Sequence, residues 1–168
     1  GIGIVIPVYN RERELRRTFD SVVAQTYRPI HVVLVDNGST DGSLALCREL
    51  KGAYETDDFR ITVVEEAKRG PSAARKRGLT FVAFLDSDDE YIPEAVSLYM
   101  QAFESNSSAD IAGCTIRLIP EQGKPYSAKA VFSNRVEPHL FHSTLGTVRY
   151  AVRTAVVRAV GGWPEDYM

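Results

Sequence analysis

Cysteine is scarce in this sequence. Only Cys47 and Cys114 occur in 168 residues, and their spacing matches no metal-ligand pattern. A disulfide-stapled scaffold is thereby excluded, and a reducing compartment fits. An excess of one charge is also missing. The 20 Lys and Arg face 22 Asp and Glu, a net charge of -2, which leaves no electrostatic footprint for nucleic acid or an anionic membrane. No apolar run is long enough to span a bilayer and none reads as a leader, so no transmembrane segment is expected in this chain. These absences together read as a cytoplasmic protein, with peripheral attachment at the inner face of a membrane left open. Repeats, low-complexity tracts and an obvious linker are absent too, and the length suits one domain over 1–168. There is no nucleophile elbow, Walker loop or dinucleotide fingerprint.

What is present is a regular alternation of strands and helices. "IGIVIPV" (2–8) is apolar and β-branched, and reads as a strand buried on both faces. "IHVVLVD" (30–36) reads as a second buried strand, and "RITVVEE" (60–66) and "FVAFLD" (81–86) as a third and a fourth strand. The spacing of Leu15, Thr18, Phe19, Val22 and Val23 predicts a helix over 11–25. Asp41 is expected to cap a short helix in "STDGSLALCREL". Pro71 and Gly78 bracket a helix in "GPSAARKRG". Pro93 opens another, with Ala95, Leu98, Tyr99, Ala102 and Phe103 expected on its buried face. Beyond Asp110 the pattern weakens. "DIAGCTIRLI" reads as a strand, "SAKAVF" as a weaker one, and "RTAVVRAVGG" as a short helix ended by glycine. The fold class expected is α/β, a Rossmann-like open sheet of mainly parallel strands with flanking helices.

The polar residues cluster where these strands end. The first runs into "PVYN", the second into "DNGSTD", the third into "AKRGPS" and the fourth into "DSDD". In an open parallel sheet the carboxyl ends share one rim, which is where ligands bind. "DSDDEY" puts Asp86, Asp88 and Asp89 within four residues, an arrangement that repels itself unless a positive charge intervenes. Hard carboxylate oxygens suit Mg²⁺ or Mn²⁺; a solvated turn and helix cap is the ordinary alternative. Asp86 and Asp88 alternate along the chain and in extended backbone would share a face. Asp36 can accept a hydrogen bond from a base or ribose, while Gly38 permits a close turn past a ligand. Tyr9 offers a ring for stacking, although a strand-end tyrosine needs no ligand to explain it. Among Lys68, Arg69, Arg75, Lys76 and Arg77, some would meet phosphates and others simply solvate a helix face. His139 and His142 lack a third ligand, His31 begins a strand, and Cys47 and Cys114 read as core residues.

Taken together, "IVIPVYNRERELRRTFDSVVAQTY", "VVLVDNGSTDGS", "RGPSAARKRGL" and "FVAFLDSDDEYIPEAV" resemble the family 2 glycosyltransferases of the GT-A fold, over about the first 100 residues and in that family's order. "VGGWPED" fits again near the end. The resemblance implies a donor that is a nucleoside diphosphate sugar, with UDP favoured, and an acceptor hydroxyl on a saccharide or other molecule. It implies that Pro7, Tyr9 and Asp36 surround the nucleoside, that Arg75 lies near the donor phosphates, and that Asp86–Ser87–Asp88 is the diphosphate motif. Asp86 and Asp88 would then hold Mn²⁺ or Mg²⁺, and direct attack by the acceptor would invert the anomeric carbon. Trp163 would line the acceptor side. Asp166 is the candidate base inside the chain, with the base otherwise expected in a C-terminal part beyond Met168.

Two features depart from that family. Asn37 stands where a second Asp is common. The link between "RGL" and "FVAFLD" is short as well. Eight helical residues rise about 12 Å, against about 20 Å for a six-residue strand, so residues are expected to be missing between Thr80 and Phe81. A sugar-nucleotide nucleotidyltransferase and a noncatalytic nucleotide-sugar-binding module are the rival readings. The first would need a glycine-rich loop that "IPVYNRER" lacks.

Overall fold

A computed structural model describes residues 1–65, 79–114, 116–118, 126–128 and 150–159. The strands and helices alternate as β1 (Ile2–Val8), α1 (Leu15–Val23), β2 (Ile30–Asp36), α2 (Ser43–Tyr54), β3 (Phe59–Glu65), β4 (Phe81–Phe84) and α3 (Ala95–Ser105). They are followed by β5 (Ile111–Gly113), β6 (Ile116–Leu118), β7 (Tyr126–Ala128), β8 (Tyr150–Arg153) and α4 (Thr154–Ala159). The main sheet has the order β3-β2-β1-β4-β8-β5, and β6 and β7 form a separate antiparallel pair. β1 runs parallel to both β2 and β4, and β2 parallel to β3. β8 is antiparallel to both β4 and β5. The expected α/β architecture with a mainly parallel sheet is therefore present.

Strand β1 shows why this sheet is buried on both sides. Ile2, Ile4, Ile6 and Val8 pack with Leu15, Phe19 and Val22 of α1 and with Tyr99 and Phe103 of α3. Val5 points the other way, into a smaller cluster with Val33, Val35, Val82, Phe84 and Val157. Period-two alternation on an all-apolar strand thus supplies two cores at once.

Strand order then fixes the site. β2 and β3 extend the sheet to one side of β1, whereas β4 is placed on its other side. The chain reverses direction across the sheet there, and the rim above β1 and β4 opens into a crevice.

Several boundaries differ from expectation. α1 begins at Leu15, because residues 11–14 form a turn whose Arg11 N–H donates to Ser43 Oγ (2.8 Å). β4 stops at Phe84, and the acidic segment after it turns instead of remaining extended. In α3, Leu98 and Ala102 face solvent, and Val96 and Met100 take their place beside Ala95, Tyr99 and Phe103. The ring of Phe103 stacks on Phe81 of β4 (4.3 Å between centroids), which sets the rotation of the helix. The single strand expected in "DIAGCTIRLI" is two, β5 and β6, with Cys114 between them and the β5 strand held by β8. β8 itself was not expected, since its four residues lie inside a stretch read as loop running into helix. The helix and basic cluster of 66–78 lie outside the described residues, as do His139 and His142; Leu79 and Thr80 before β4 are described, and Thr80 O accepts from Thr154 N–H (2.9 Å).

Candidate active site

Three loops meet over β1, β2 and β4. The first follows β1, where Asn10 adopts a left-handed backbone (φ 52°), a conformation asparagine tolerates better than most residues. Its N–H donates to Ser39 Oγ (3.1 Å), and its Oδ1 accepts from the Thr40 N–H (2.8 Å). The second loop follows β2. Gly38 takes φ 80° there, as the close turn requires, and Asp36 Oδ2 accepts from the N–H groups of Gly38 and Ser39, both at 3.1 Å. Asp41 stands one residue ahead of the N-cap of α2, Gly42. Its carboxylate accepts from Ser43 N–H (3.0 Å) and from Glu12 N–H (3.2 Å). It does the expected capping work from one position upstream, and also ties the first loop to the second.

The third loop is the acidic one. Leu85 N–H donates to Val5 O (3.0 Å), carrying the ladder one residue past β4, and Asp89 N–H donates to Asp86 O (3.1 Å) to close a turn. The far end is anchored in the core. Tyr91 is buried and its hydroxyl donates to Phe84 O (2.9 Å), while its N–H donates to Ser21 Oγ (3.1 Å) on α1. Burial pushes the Tyr91 phenol above its ordinary range, so it stays a neutral donor. Gln25 locks the next segment. Its Nε2 donates to Ser21 O (2.9 Å) and Ile92 O (2.7 Å), and its Oε1 accepts from Val96 N–H (2.9 Å) in the first turn of α3. These bonds hold the acidic turn from both sides before any ligand arrives.

Asp86 and Asp88 are brought together by this turn, not by the alternation of an extended strand. Both line one open cleft of about 340 Å³ together with Pro7, Tyr9, Arg11, Asn37 and Ser87. That volume falls at the lower end of small-ligand sites. Tyr9 is 47% exposed, an accessible ring at the mouth. Asp36 is buried at the end of β2 beside Asn37. Its Oδ1, like Asn37 Oδ1, is buried and without a hydrogen-bond partner among the described residues. A buried carboxylate oxygen without a donor is costly in isolation, and such groups call for an explanation. Beneath it Cys47 is fully buried. Burial first, and then the charge of Asp36, pushes its thiol up to about 12, which rules out a thiolate nucleophile.

The electrostatics of the acidic turn supply a partner that the sequence reading missed. Arg11 Nη2 lies 3.4 Å from Asp88 Oδ2. Arg17 donates through Nη2 to Asp88 O (3.2 Å) and pairs through Nε with Glu90 (2.8 Å). Asp89 has its carboxyl pushed up, first by desolvation and then by Asp86 and Asp88, with Arg17 pulling it down. The two arginines carry a visible sequence signal only once β4 is known to lie next to β1. Arg75, Trp163 and Asp166 lie outside the described residues.

The donor set of the cleft fits a hard divalent ion of one kind. No group of three or more His, Cys, Asp or Glu able to hold a metal gathers among the described residues. Asp86 and Asp88 offer two carboxylates, which suits an ion that completes its shell with water and a ligand's phosphates.

Comparison with known proteins identifies the family. Residues 3–157 match the family model described as Glycosyl transferase family 2. The chain belongs to this family. Among family relatives, Glycosyltransferase GlyA of Streptococcus pneumoniae is 41% identical over 117 residues, covering 66% of this chain and 16% of GlyA. The uncharacterized glycosyltransferase EpsJ of Bacillus subtilis is 30% identical over 140 residues, covering 80% of this chain and 39% of EpsJ. The chain thus spans well under half the length of either relative. Residues 1–349 of S. aureus TarS, solved in complex with UDP-GlcNAc, share the fold with a TM-score of 0.75 at 20% identity, over 97% of this chain and 48% of that one. A mannosyltransferase from Pyrobaculum calidifontis, solved with GDP-Man and Mn²⁺, gives 0.70 at 20% identity, over 98% and 48%. The expected GT-A fold is established by these likenesses. The family assignment leaves the nucleotidyltransferase reading without support. Among the described residues no helix is long and apolar enough to cross a membrane.

Proposed function

We propose that this chain carries the donor-binding part of a glycosyltransferase that takes a nucleoside diphosphate sugar, UDP-sugar ahead of GDP-sugar, and transfers the sugar with inversion to an acceptor hydroxyl. The observation that carries this reading is the cleft at the reversal point of the sheet. Its lining holds an exposed aromatic ring, Tyr9, and a preorganised acidic turn, and Asp36, buried with one carboxylate oxygen unpartnered among the described residues, directly precedes Asn37 of that lining. Asp36 Oδ1 would accept the imide N–H of uracil, and Tyr9 would pack on the ring beside Pro7. Asp86 and Asp88 would hold Mn²⁺ or Mg²⁺, and Ser87 between them would face the diphosphate. When bound, such an ion supplies fixed positive charge to the leaving diphosphate, where negative charge grows as the glycosidic bond breaks.

The remaining roles rest on the family resemblance. Arg75 is assigned to the phosphates and Trp163 to the acceptor side. Asp166 is the candidate base, with a carboxylate beyond Met168 preferred. A cytoplasmic location belongs to the same reading. The test is incubation of the full-length protein and its Asp88→Ala variant with a panel of nucleotide sugars, with and without Mn²⁺, measuring release of free nucleotide and of pyrophosphate. Nucleotide release that needs both the ion and Asp88 is expected. Pyrophosphate release would refute sugar transfer. Tight nucleotide-sugar binding without release would instead make the domain a noncatalytic binding module of a longer protein. Competition between UDP and GDP decides the base, and a clear GDP preference would reverse the uridine assignment.

A further inference from the structure

Among the described residues lining the cleft, Arg11 is the sole cation, and it faces a proposed metal ligand. Its backbone is fixed at both ends: the N–H donates to Ser43 Oγ (2.8 Å) and the carbonyl accepts from Leu15 N–H (2.9 Å) as α1 begins. The side chain is held much less firmly. The guanidinium and the Asp88 carboxylate are 42% and 48% exposed and 3.4 Å apart, a long and solvated ion pair. Such pairs are weak and exchange readily. Arg17 is different. It bonds the backbone carbonyl of Asp88 and the carboxylate of Glu90, so it braces the turn itself and leaves the Asp88 carboxylate free to reorient.

From this division of labour we propose that Arg11 is an exchangeable counter-ion for the donor site. In the ligand-free protein it neutralises Asp88 and keeps the acidic turn from repelling itself. When a nucleoside diphosphate enters with its divalent ion, the Asp88 oxygen turns to the ion and the guanidinium turns to a diphosphate oxygen. One positive charge on Asp88 is replaced by another, and the arginine moves to a better acceptor, since guanidinium pairs with phosphate through two parallel N–H groups. The site would thereby disfavour a bare metal ion and favour the ion only in company with its diphosphate. This inference rests on the donor-site reading above and adds a residue that sets the order and coupling of binding.

The coupling gives Arg11 a signature that a structural arginine would not have. Mn²⁺ alone is titrated into the protein and its Arg11→Ala variant, with free Mn²⁺ read by electron paramagnetic resonance. UDP is then titrated by calorimetry at saturating Mn²⁺. Arg11→Ala is expected to bind Mn²⁺ alone about 2- to 5-fold more tightly, because a weak competitor for Asp88 is gone. It is expected to bind UDP with Mn²⁺ roughly 10-fold or more weakly, because a charged contact to phosphate is lost. The Mn²⁺ advantage should shrink as salt is raised, because an exposed pair is screened. Arg17→Ala, which loosens the turn, is expected to weaken both. Opposite signs in Arg11→Ala support the exchange. Weaker Mn²⁺ binding, or unchanged UDP binding, in that variant overturns it. UDP binding to the unaltered protein that needs no Mn²⁺ sinks the exchange but leaves a donor site. Binding of neither ligand refutes the donor site and the exchange together.

Discussion

Replacing Asp36 by Asn changes one atom at the buried carboxyl end of β2, next to the cleft-lining Asn37, and its outcome follows from where the hydrogens are. Asp36 Oδ2 already accepts from Gly38 and Ser39 N–H groups, and Oδ1 is buried without a partner among the described residues. In the variant the amide oxygen has to stay on those two N–H groups, because an NH₂ there would face two donors. The NH₂ therefore occupies the place of Oδ1. A donor then meets the imide N–H of uracil where an acceptor stood. The loss of one charge-assisted hydrogen bond is worth about 1.5–3 kcal/mol, so UDP affinity should fall roughly 10- to 150-fold. Cytosine presents a ring nitrogen acceptor at the same position, so the variant should gain on CDP while it loses UDP. Calorimetric titration of both nucleotides at saturating Mn²⁺ measures the swing, and a thermal melt serves as control. The melt should barely move, because both backbone bonds are kept. Affinity for UDP within twofold of the unaltered protein, with no gain on CDP, would show that Asp36 does not read the base.

Gln25→Ala should destabilise the fold by about 1–3 kcal/mol, because it leaves the buried Val96 N–H without its partner, while Ile92 O keeps the Ala95 N–H. A denaturant melt reads this, and a change below about 0.5 kcal/mol would mean that water replaces the side chain. Asp89 has its carboxyl raised in the folded state, so the folded protein holds its proton more tightly than the unfolded chain. Stability is therefore lost as pH rises from the unfolded value, about 3.9, through the folded one. Asp89→Asn should then melt higher than the unaltered protein at pH 7 and level with it near pH 3, and the opposite pH trend would reject the assignment. Finally, a chain extended beyond Met168 should transfer sugar far faster than residues 1–168 alone. Equal turnover in the two, abolished by Asp166→Asn, would instead make Asp166 the base.

Much of this protein is legible because its signals are local. Short β-branched runs bounded by turn residues read as strands, and β1, β2 and β3 appear within a residue of where the runs lie, although the edge strand β3 exposes Arg60 and Glu65. Polar residues at strand ends could be assigned to one rim for the same reason, since parallel strands all present their carboxyl ends on one side. The misreadings have local causes as well. α3 carries apolar residues on more than one face, so spacing alone could not choose between Leu98 and Met100. β8 is four residues long and adjoins a helix, too short for alternation to register.

The sequence by itself determined the alternating α/β plan, the family and the identity of Tyr9, Asp36, Asp86 and Asp88 as the residues to watch. Pattern and residue chemistry are properties of a segment and survive without knowing its neighbours. Only the tertiary structure decided that β4 lies against β1 on the side away from β2, and that β8 enters between β4 and β5. It also decided that Asp88 meets Arg11 from 77 positions earlier in the chain and that Asp36 keeps one oxygen buried and unsatisfied among the described residues. Strand neighbours are chosen by how whole faces pack, and a charge finds its partner only after that choice. The acidic turn therefore announces in sequence that it needs a positive charge, while the fold alone says which one it has.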